Sequence, residues 1–530
     1  MNAIELSIFS SRIEAICEEM GLVLARTSFS PNIKDRLDFS CALFDPQGKL
    51  FAQAAHIPVH LGSMAYAMGG IVTSMDWQNG DMLVLNDPYL GGTHLPDVTL
   101  VAPLFITNTN SPNASQTLVA FVANRAHHAN IGGDAPGSMP LSTHLEQEGV
   151  IIAPSWIIKG GKLQQTTLNL LGEIDGSSHE PISLNSLALA DFSAQVSTNQ
   201  VGLERLEAMI FDTGLNNFQD GLEQLNRYAQ RLSSTVLKGI PDGSYPFSDI
   251  MDSDGAGTTN ITIDLVLHVK AGKIHADFSG TAKQVPGNIN CPLSVAAAAV
   301  YYAFRCLMPD QTPACAGAFE DISITAPLGS LLNAQRPAAV AAGNVETSSR
   351  IVDVVLGALA QVIPLLIPAA SHGSMNNVAM GNRDPAKSTP WDYYETVGGG
   401  MGANSSGHGL NAVQTHMTNT LNTPVESLET HYPLRIKRYS IRRESGGAGQ
   451  YQGGNGIVRE FEFLQPAEVT LLTERRTTAP WGLNGGATGL PGENRLNGKT
   501  VPAKCSLNVQ PHDLLEITTP GGGGWGRSTP

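Results

Sequence analysis

A histidine and an aspartate three residues apart, His94 and Asp97, occupy the segment Asn86–Asp97 (NDPYLGGTHLPD). Imidazole nitrogen plus carboxylate oxygen is a donor set for Zn²⁺, Mn²⁺ or Fe²⁺. Gly91, Gly92 and Pro96 shape a loop in which the two side chains can converge. Alone, a His-x-x-Asp is common and weak, and an ordinary loop feature is its plainer reading. The following segment Arg125–Asp134 (RAHHANIGGD) adds the adjacent pair His127 and His128. Neighbouring side chains of an extended segment point to opposite faces. One of the pair can therefore join a metal while the other faces away or supports the ligands. His94, Asp97 and one of the pair would make a His₂Asp set with an open position, as a catalytic metal requires. The plainer reading is a histidine pair bonded to backbone in a polar loop.

His56 and His60, in His56–His60 (HIPVH), are four apart and share a face if the segment is extended. They could donate to a substrate, support the metal shell, or be ordinary loop histidines. Asp38 is a candidate further ligand or general base, or a solvated loop carboxylate. Cys41 is a buried thiol unless an activating base stands beside it. Gly343–Arg350 (GNVETSSR) has the pattern of a helix start capped by Thr347 or Ser348. Val397–Ala403 (VGGGMGA) is either a backbone nest or a flexible turn. Thr473–Arg476 (TERR) can pair with carboxylates.

The elements that must position these groups follow from periodicity. Ile13, Ile16, Met20, Val23 and Leu24 recur at helical spacing, which predicts a helix over 4–25. Phe39–Phe44 and Leu50–Ala54 flank the turn signal DPQG and predict a hairpin. Strands are expected at 81–86, 98–106 and 118–123, so both His-bearing loops adjoin strand ends. An exposed loop is expected at 108–115. A second helical region is expected from about Asp191 to Phe211, broken at Gly214 and resuming along Phe218, Leu222, Leu225, Ala229, Leu232 and Val236. Ile261–Val269 and Lys273–Phe278 read as a hairpin. The apolar runs Leu293–Phe304 and Ile351–Ile367 read as buried helices, with strands at 457–464 and 468–474. The expected class is α+β, a large mixed chain with an N-terminal helix and a strand-rich C-terminal part. The expected division is 1–240, holding the candidate metal loops and a helical segment, and 241–530, rich in strands and glycine.

Composition narrows the function. The chain has 530 residues, 42% apolar, and a net charge of −15 with only 15% charged residues. It lacks the basic footprint of a nucleic-acid binder and the polybasic stretches that anionic membranes attract. No run approaches the ~18 apolar residues of a spanning helix. Six scattered cysteines, no CxxC pair and no basic-then-apolar leader predict a reduced, cytoplasmic protein. Glycine-rich phosphate loops are missing too: GENRLNGKT at 492–500 is one residue too long for a Walker A site and follows no buried strand. There is no Gly-x-Ser-x-Gly elbow and no His-Glu-x-x-His.

Taken in order, the motifs resemble the hydantoinase B/oxoprolinase family along nearly the whole chain. The matching stretches are SPNIKDRLDFSCALFD at 30–45, HIPVHLGSM at 56–64, NDPYLGGTHLPD at 86–97 and RAHHANIGG at 125–133. They continue with GNINCP at 287–292, GNVETSSR at 343–350, PVESLETHY at 424–432 and TPGGGGWG at 519–526. The resemblance implies a subunit, or one half, of an enzyme that opens cyclic amides with ATP: a hydantoinase, 5-oxoprolinase or caprolactamase. It implies a partner ATPase of the actin-like hydantoinase A type that binds and consumes ATP; the missing phosphate loop and the low charged fraction predict a stable assembly with it, a heterotetramer or a larger even-numbered complex. It also implies a divalent metal (Zn, Mn or Fe) on His94, Asp97 and His127, with Asp38 next in line. Asp38, His60 and His128 are then the candidates for a general base. A related reading is a subunit of an ATP-dependent ketone carboxylase of the acetone or acetophenone type. From a different class, a non-catalytic scaffold for the ATPase predicts no bound metal.

Overall fold

The computed structural model describes residues 1–54, 56–108, 115–175, 189–383 and 390–528. The loop expected at 108–115 falls, over 109–114, outside the described residues. Contacts divide the chain into two compact units. One comprises Met1–His128, Val150–Gly239 and Met308–Ile322; the other comprises Ala129–Gly149, Ile240–Leu307 and Ser323–Pro530.

The first unit is a seven-stranded antiparallel sheet with helices on both faces. Its helices are α1 (Ala3–Thr27), α2 (Pro31–Lys34), α3 (Pro58–Thr73), α4 (Gln165–Gly172), α5 (Ala190–Thr213) and α6 (Leu215–Leu237). Its strands are β1 (Phe39–Phe44), β2 (Leu50–Gln53), β3 (Met82–Leu85), β4 (Asp97–Asn108), β5 (Ser115–His127), β6 (Ser155–Lys159) and β7 (Lys162–Leu163). They lie in the order β2-β1-β5-β4-β3-β6-β7. Helix α1 starts on a capping box: the Asn2 side chain accepts from the Glu5 N–H and Glu5 accepts from the Asn2 N–H. Its buried stripe is Phe9, Ile13, Ile16, Met20 and Leu24.

Helix α3 corrects the extended reading of 56–60. Pro58 stands at the first helical position, where its fixed φ and missing N–H are tolerated. Downstream, Met64, Met68, Ile71 and Val72 recur at helical spacing and bury against Phe44, Leu83, Leu85, Val101 and Phe121 of the sheet. Helix α5 covers the opposite face. A Cβ at its Gly202 would stand 2.7 Å from Val122 of β5 and 2.6 Å from the sulfur of Met20. Glycine there lets α1, α5 and the sheet close together.

Among its described residues the second unit holds three sheets. The first has β8 (Gly243–Ser253), β9 (Thr259–Lys270), β10 (Lys273–Asp277) and β11 (Ile322–Thr325), in the order β11-β10-β9-β8. Helices α7 (Leu293–Arg305) and α8 (Ser348–Ala360) are the two buried apolar runs. A π-helical turn, Gly343–Thr347, leads straight into α8. The expected cap by Thr347 or Ser348 is therefore absent. The chain is already wound at those positions, and the two hydroxyls donate to the carbonyls of Ile289 and Asn344 instead. Beyond lie β12 (Asn377–Asn382), β13 (Trp391–Glu395), α9 (Val425–His431), β14 (Leu434–Arg442), β15 (Gly456–Phe463), β16 (Ala467–Leu472), β17 (Glu493–Leu496), β18 (Lys499–Val501), β19 (Lys504–Val509) and β20 (Leu514–Thr518). They form the sheets β13-β12-β16-β19 and β14-β15-β20-β17-β18, so β15 and β16 are neighbours in sequence but belong to different sheets. Phe461, Phe463, Val469, Leu471 and Leu515 share a core. The class is α+β.

Two motifs of the second unit resolve into packing. The glycines of 397–403 are neither a nest nor an open turn. Gly400 donates to the Pro520 carbonyl and Ala403 to that of Gly523, and a Cβ at Gly400 would lie 2.0 Å from the Gly454 oxygen. Backbone packs directly on backbone there. The TERR segment enters buried ion pairs. Glu474 is salt-bridged to Lys504 and lies 3.3 Å from Arg350, while Arg475 reaches Asp249 at 2.7 Å and Asp353 at 2.6 Å.

Asp252 anchors that segment and generates a pH prediction. Its carboxylate accepts from the N–H groups of Arg476, Thr477 and Thr478 and from the Thr478 hydroxyl. Burial alone would raise its pKa, but these bonds and Arg350 hold it down to about 2. A carboxyl with a depressed folded-state pKa stabilises the fold above its unfolded value and loses that contribution as pH falls. Asp252→Asn should therefore lower the unfolding free energy at pH 7 by about 2 kcal/mol. Urea titrations should show the gap between variant and wild type narrowing from pH 4 to pH 2.

Candidate metal centre

Strand pairing brings the candidate ligands together. In the β4–β5 ladder Asp97 stands opposite His127, and Thr99 stands opposite Arg125. These four share one face, because side chains alternate along each strand. His94 lies three residues before Asp97, in the turn that delivers β4. Gly91 in that turn has φ +113°, and a Cβ at Gly92 would stand 2.3 Å from the Asn86 oxygen. Glycine is therefore required at both positions. His60 arrives from the first turn of α3, on the same face of the sheet.

Asp97 is the hub. Its Oδ1 lies 3.1 Å from His94 Nε2 and 3.3 Å from His127 Nδ1, and its Oδ2 lies 3.2 Å from His60 Nε2. Thr93 donates to Oδ2 at 2.6 Å. His94 and Asp97 are fully buried, and His60 and His127 nearly so. Burial would raise the Asp97 pKa, but the charges of His60 and His94 and the hydrogen bonds from His127 and His60 hold it well below the ordinary carboxylate range. Burial lowers the pKa of His127 despite the Asp97 beside it, so the neutral ring is favoured. A neutral imidazole is the form that binds metals.

The donor set fits a divalent cation. His94, Asp97 and His127 each offer one ligand atom, and the three atoms lie within 4.8 Å of one another. Among the described residues no other group of three His, Cys, Asp or Glu side chains meets that criterion. Two imidazoles and a carboxylate, buried and converging, match the preference of Zn²⁺, Mn²⁺ or Fe²⁺.

The remaining candidates separate. Asp38 adjoins the cluster, with Oδ1 4.0 Å from His60 Nε2 and Oδ2 3.7 Å from Arg36; its backbone carbonyl accepts from the His127 N–H. His128 leaves β5 on the opposite face. Its Nε2 lies 2.9 Å from Gln195 Oε1, and its ring packs on Phe192 at 4.3 Å. The structure thus gathers Asp38 and His60 around the candidate ligands and not His128. His56 is turned away as well: its Nδ1 accepts from the Cys41 N–H, and burial together with His60 lowers its pKa to about 4. Burial, reinforced by Glu18, pushes the Cys41 thiol far up, so it stays protonated.

Reading by motif overlooked the support beneath the site. Arg125 is fully buried and donates to Thr99 Oγ1 at 2.7 Å, Ser63 Oγ at 2.7 Å and the Gly91 carbonyl at 3.0 Å. One guanidinium thereby ties β4, α3 and the His94 turn together. Burial lowers its pKa to about 10 against the pull of Asp97. The clue was available: Arg125 precedes His127 by two, which on a strand means the same face.

A family model for hydantoinase B/oxoprolinase matches residues 2–528. The chain belongs to that family. It is 38% identical to 5-oxoprolinase 1 of Arabidopsis thaliana over 99% of its own length, and spans 42% of that longer protein. The crystal structure of the ATP-dependent caprolactamase from Pseudomonas jessenii superposes with a TM-score of 0.88 at 26% identity, covering 99% of this chain and 91% of that one. An acetone carboxylase in its nucleotide-free structure gives 0.84 at 15% identity over 100% of this chain and 76% of that one, a likeness of fold. Among the described residues no helix is long and apolar enough to cross a membrane.

The ligand geometry generates a metal prediction. Protein incubated with Mn²⁺, Zn²⁺ or Fe²⁺ and then desalted should carry about one ion per chain by elemental analysis. Asp97→Ala should weaken binding by more than ~100-fold, since losing a ligand costs more than losing a supporting partner. His56→Ala, whose ring is committed to Cys41, should leave the stoichiometry unchanged.

Proposed function

We propose that this chain is the ring-opening component of an ATP-dependent cyclic amide hydrolase, working with an ATPase of the hydantoinase A type. The observation that carries the reading is the buried His94–Asp97–His127 set, in a chain of the hydantoinase B/oxoprolinase family. The caprolactamase likeness supports the amide class. The 5-oxoprolinase relative is more than twice as long as the stretch this chain spans, which leaves room in it for a separate ATP-binding part. The chain itself has no phosphate-loop motif.

An amide resists water because nitrogen donates into its carbonyl. Transfer of a phosphoryl group from ATP to the lactam oxygen removes that donation and leaves an electrophilic carbon. A divalent ion held by His94, Asp97 and His127 would supply Lewis-acid polarisation and make water more acidic. This chain's own residues then handle the proton. His60 presents Nε2 to Asp97, and its Nδ1 makes no hydrogen bond among the described residues. With the Nε2 proton directed at the carboxylate, Nδ1 keeps the basic lone pair, the pairing of base and orienting acid that general-base catalysis uses. Asp38, 4.0 Å from His60, stabilises the ring once it is protonated. Water oxygen bonds to the carbonyl carbon and its proton passes to His60. The C–N bond breaks as nitrogen takes a proton, which leaves an acyl phosphate; a second water bonds to its carbonyl carbon, and inorganic phosphate leaves with the former lactam oxygen.

The test mixes the purified chain with its ATPase and follows ADP and ring-opened amino acid together, using hydantoin, 5-oxoproline and caprolactam. ADP and product should appear one for one with the right ring. His60→Ala should lower product formation by about 10²–10⁴-fold, the usual scale of a lost general base. A parallel arm with bicarbonate and a ketone reads for carboxylation. Product from the ketone arm, with none from any lactam, would overturn the proposal.

A further inference from the structure

The side of the β4–β5 ladder away from the metal ligands carries a second polar cluster that the ring-opening reading does not use. Gln195, on α5 and fully buried, is its centre. Its Nε2 donates to the Val98 carbonyl at 2.9 Å and to Asn124 Oδ1 at 2.8 Å. Its Oε1 lies 2.9 Å from His128 Nε2. The Asn124 amide returns a bond to the Gln195 backbone carbonyl at 2.9 Å and another to Asn199 Oδ1 at 2.8 Å. Both amide hydrogens of Gln195 are thus spent on oxygens. That assigns Oε1 to His128 and the ring proton of His128 to Nε2.

Val98 directly follows Asp97, and His128 directly follows His127. One side chain therefore grips the residues next to two of the three candidate ligands, on two strands. It does so from the sheet face opposite the metal. Thr93 and Arg125 hold the ligand face, and Gln195 fixes the same pair of strands from behind. Phe192, one helical turn before Gln195, packs on the His128 ring and closes the cluster. Donor positions in a metal site must be held to within about 0.5 Å, and their supporting bonds set that tolerance.

We propose that Gln195 is a positioning residue that sets the separation of Asp97 and His127 in the metal centre, an inference that rests on the metal reading above. The predicted signature is loss of metal affinity beyond any loss of stability. Asn199 provides the comparison, because it sits in the same buried amide cluster but touches neither Val98 nor His128 through any bond given above.

The experiment titrates Co²⁺ into the metal-stripped full chain and follows the visible ligand-field spectrum, with thermal unfolding of each apo protein recorded alongside. Wild type, Gln195→Met and Asn199→Leu are compared. Gln195→Met keeps the side-chain volume and removes every amide bond. Its affinity should fall by about 10–100-fold, the scale for partners that orient ligands, with an altered spectrum. Asn199→Leu should lose thermal stability and keep wild-type affinity and spectrum. Gln195→Glu keeps the acceptor for His128 but cannot donate to Val98. It should bind Co²⁺ with an affinity between wild type and Gln195→Met, and it carries the test if Gln195→Met does not fold. Unchanged affinity in the Gln195 variants, with wild type binding Co²⁺, overturns the proposal alone. So does a loss in Asn199→Leu equal to that in Gln195→Met. Failure of wild type to bind Co²⁺ overturns the metal reading and the proposal with it.

Discussion

A single buried carboxylate organises the first unit. Asp97 is shielded from solvent and keeps its charge because four polar groups surround it: the Thr93 hydroxyl donates to it, and the imidazoles of His60, His94 and His127 stand within 3.3 Å. An isolated carboxylate in that position would be neutralised or expelled, since burying an unpaired charge costs several kcal/mol. These groups come from a turn, a helix and a neighbouring strand. Satisfying one charge therefore fixes how β4, β5, α3 and the Gly91–Gly92 turn meet. The same convergence that stabilises the carboxylate without a metal leaves three donors placed for one.

The β4–β5 register is what turns that requirement into a site. Asp97 opposite His127 and Thr99 opposite Arg125 are consecutive pairs on one face. The intervening residues, with Asn124 and His128, face α5. A one-residue slip would exchange the two faces and put Val98 and His128 where Asp97 and His127 now stand. The register is secured on one side by Arg125, which bonds to α3, β4 and the His94 turn at once. On the other side it is secured by the Gln195 amide.

Much of this was legible in the sequence where the signal is local. The spacing of His94 and Asp97, the opposite facing of His127 and His128, the long helices and the hairpin strands all rest on periods that a linear reading can see. Other features depend on tertiary context. The segment around His60 reads as extended until α3 is recognised from Pro58 and the buried stripe Met64, Met68, Ile71 and Val72. Gln195 lies 97 residues from Val98, and no local pattern links them. Strands β15 and β16 read as a sequential pair, yet each finds its partners in a different sheet. Thr347 and Ser348 look like caps until the π-helical turn before them is seen. The glycines around 397–403 resemble a flexible loop because composition does not reveal that their missing side chains make room for other backbone.

The metal reading requires that the β4–β5 pairing and the turn before β4 together present two imidazoles and one carboxylate to a single ion. X-ray absorption at the metal edge of the loaded full chain tests it most directly. The account predicts two imidazole nitrogens and at least one carboxylate oxygen at about 2.0–2.2 Å, with no sulfur in the shell. A shell with only one imidazole, or with a thiolate sulfur near 2.3 Å, would contradict it.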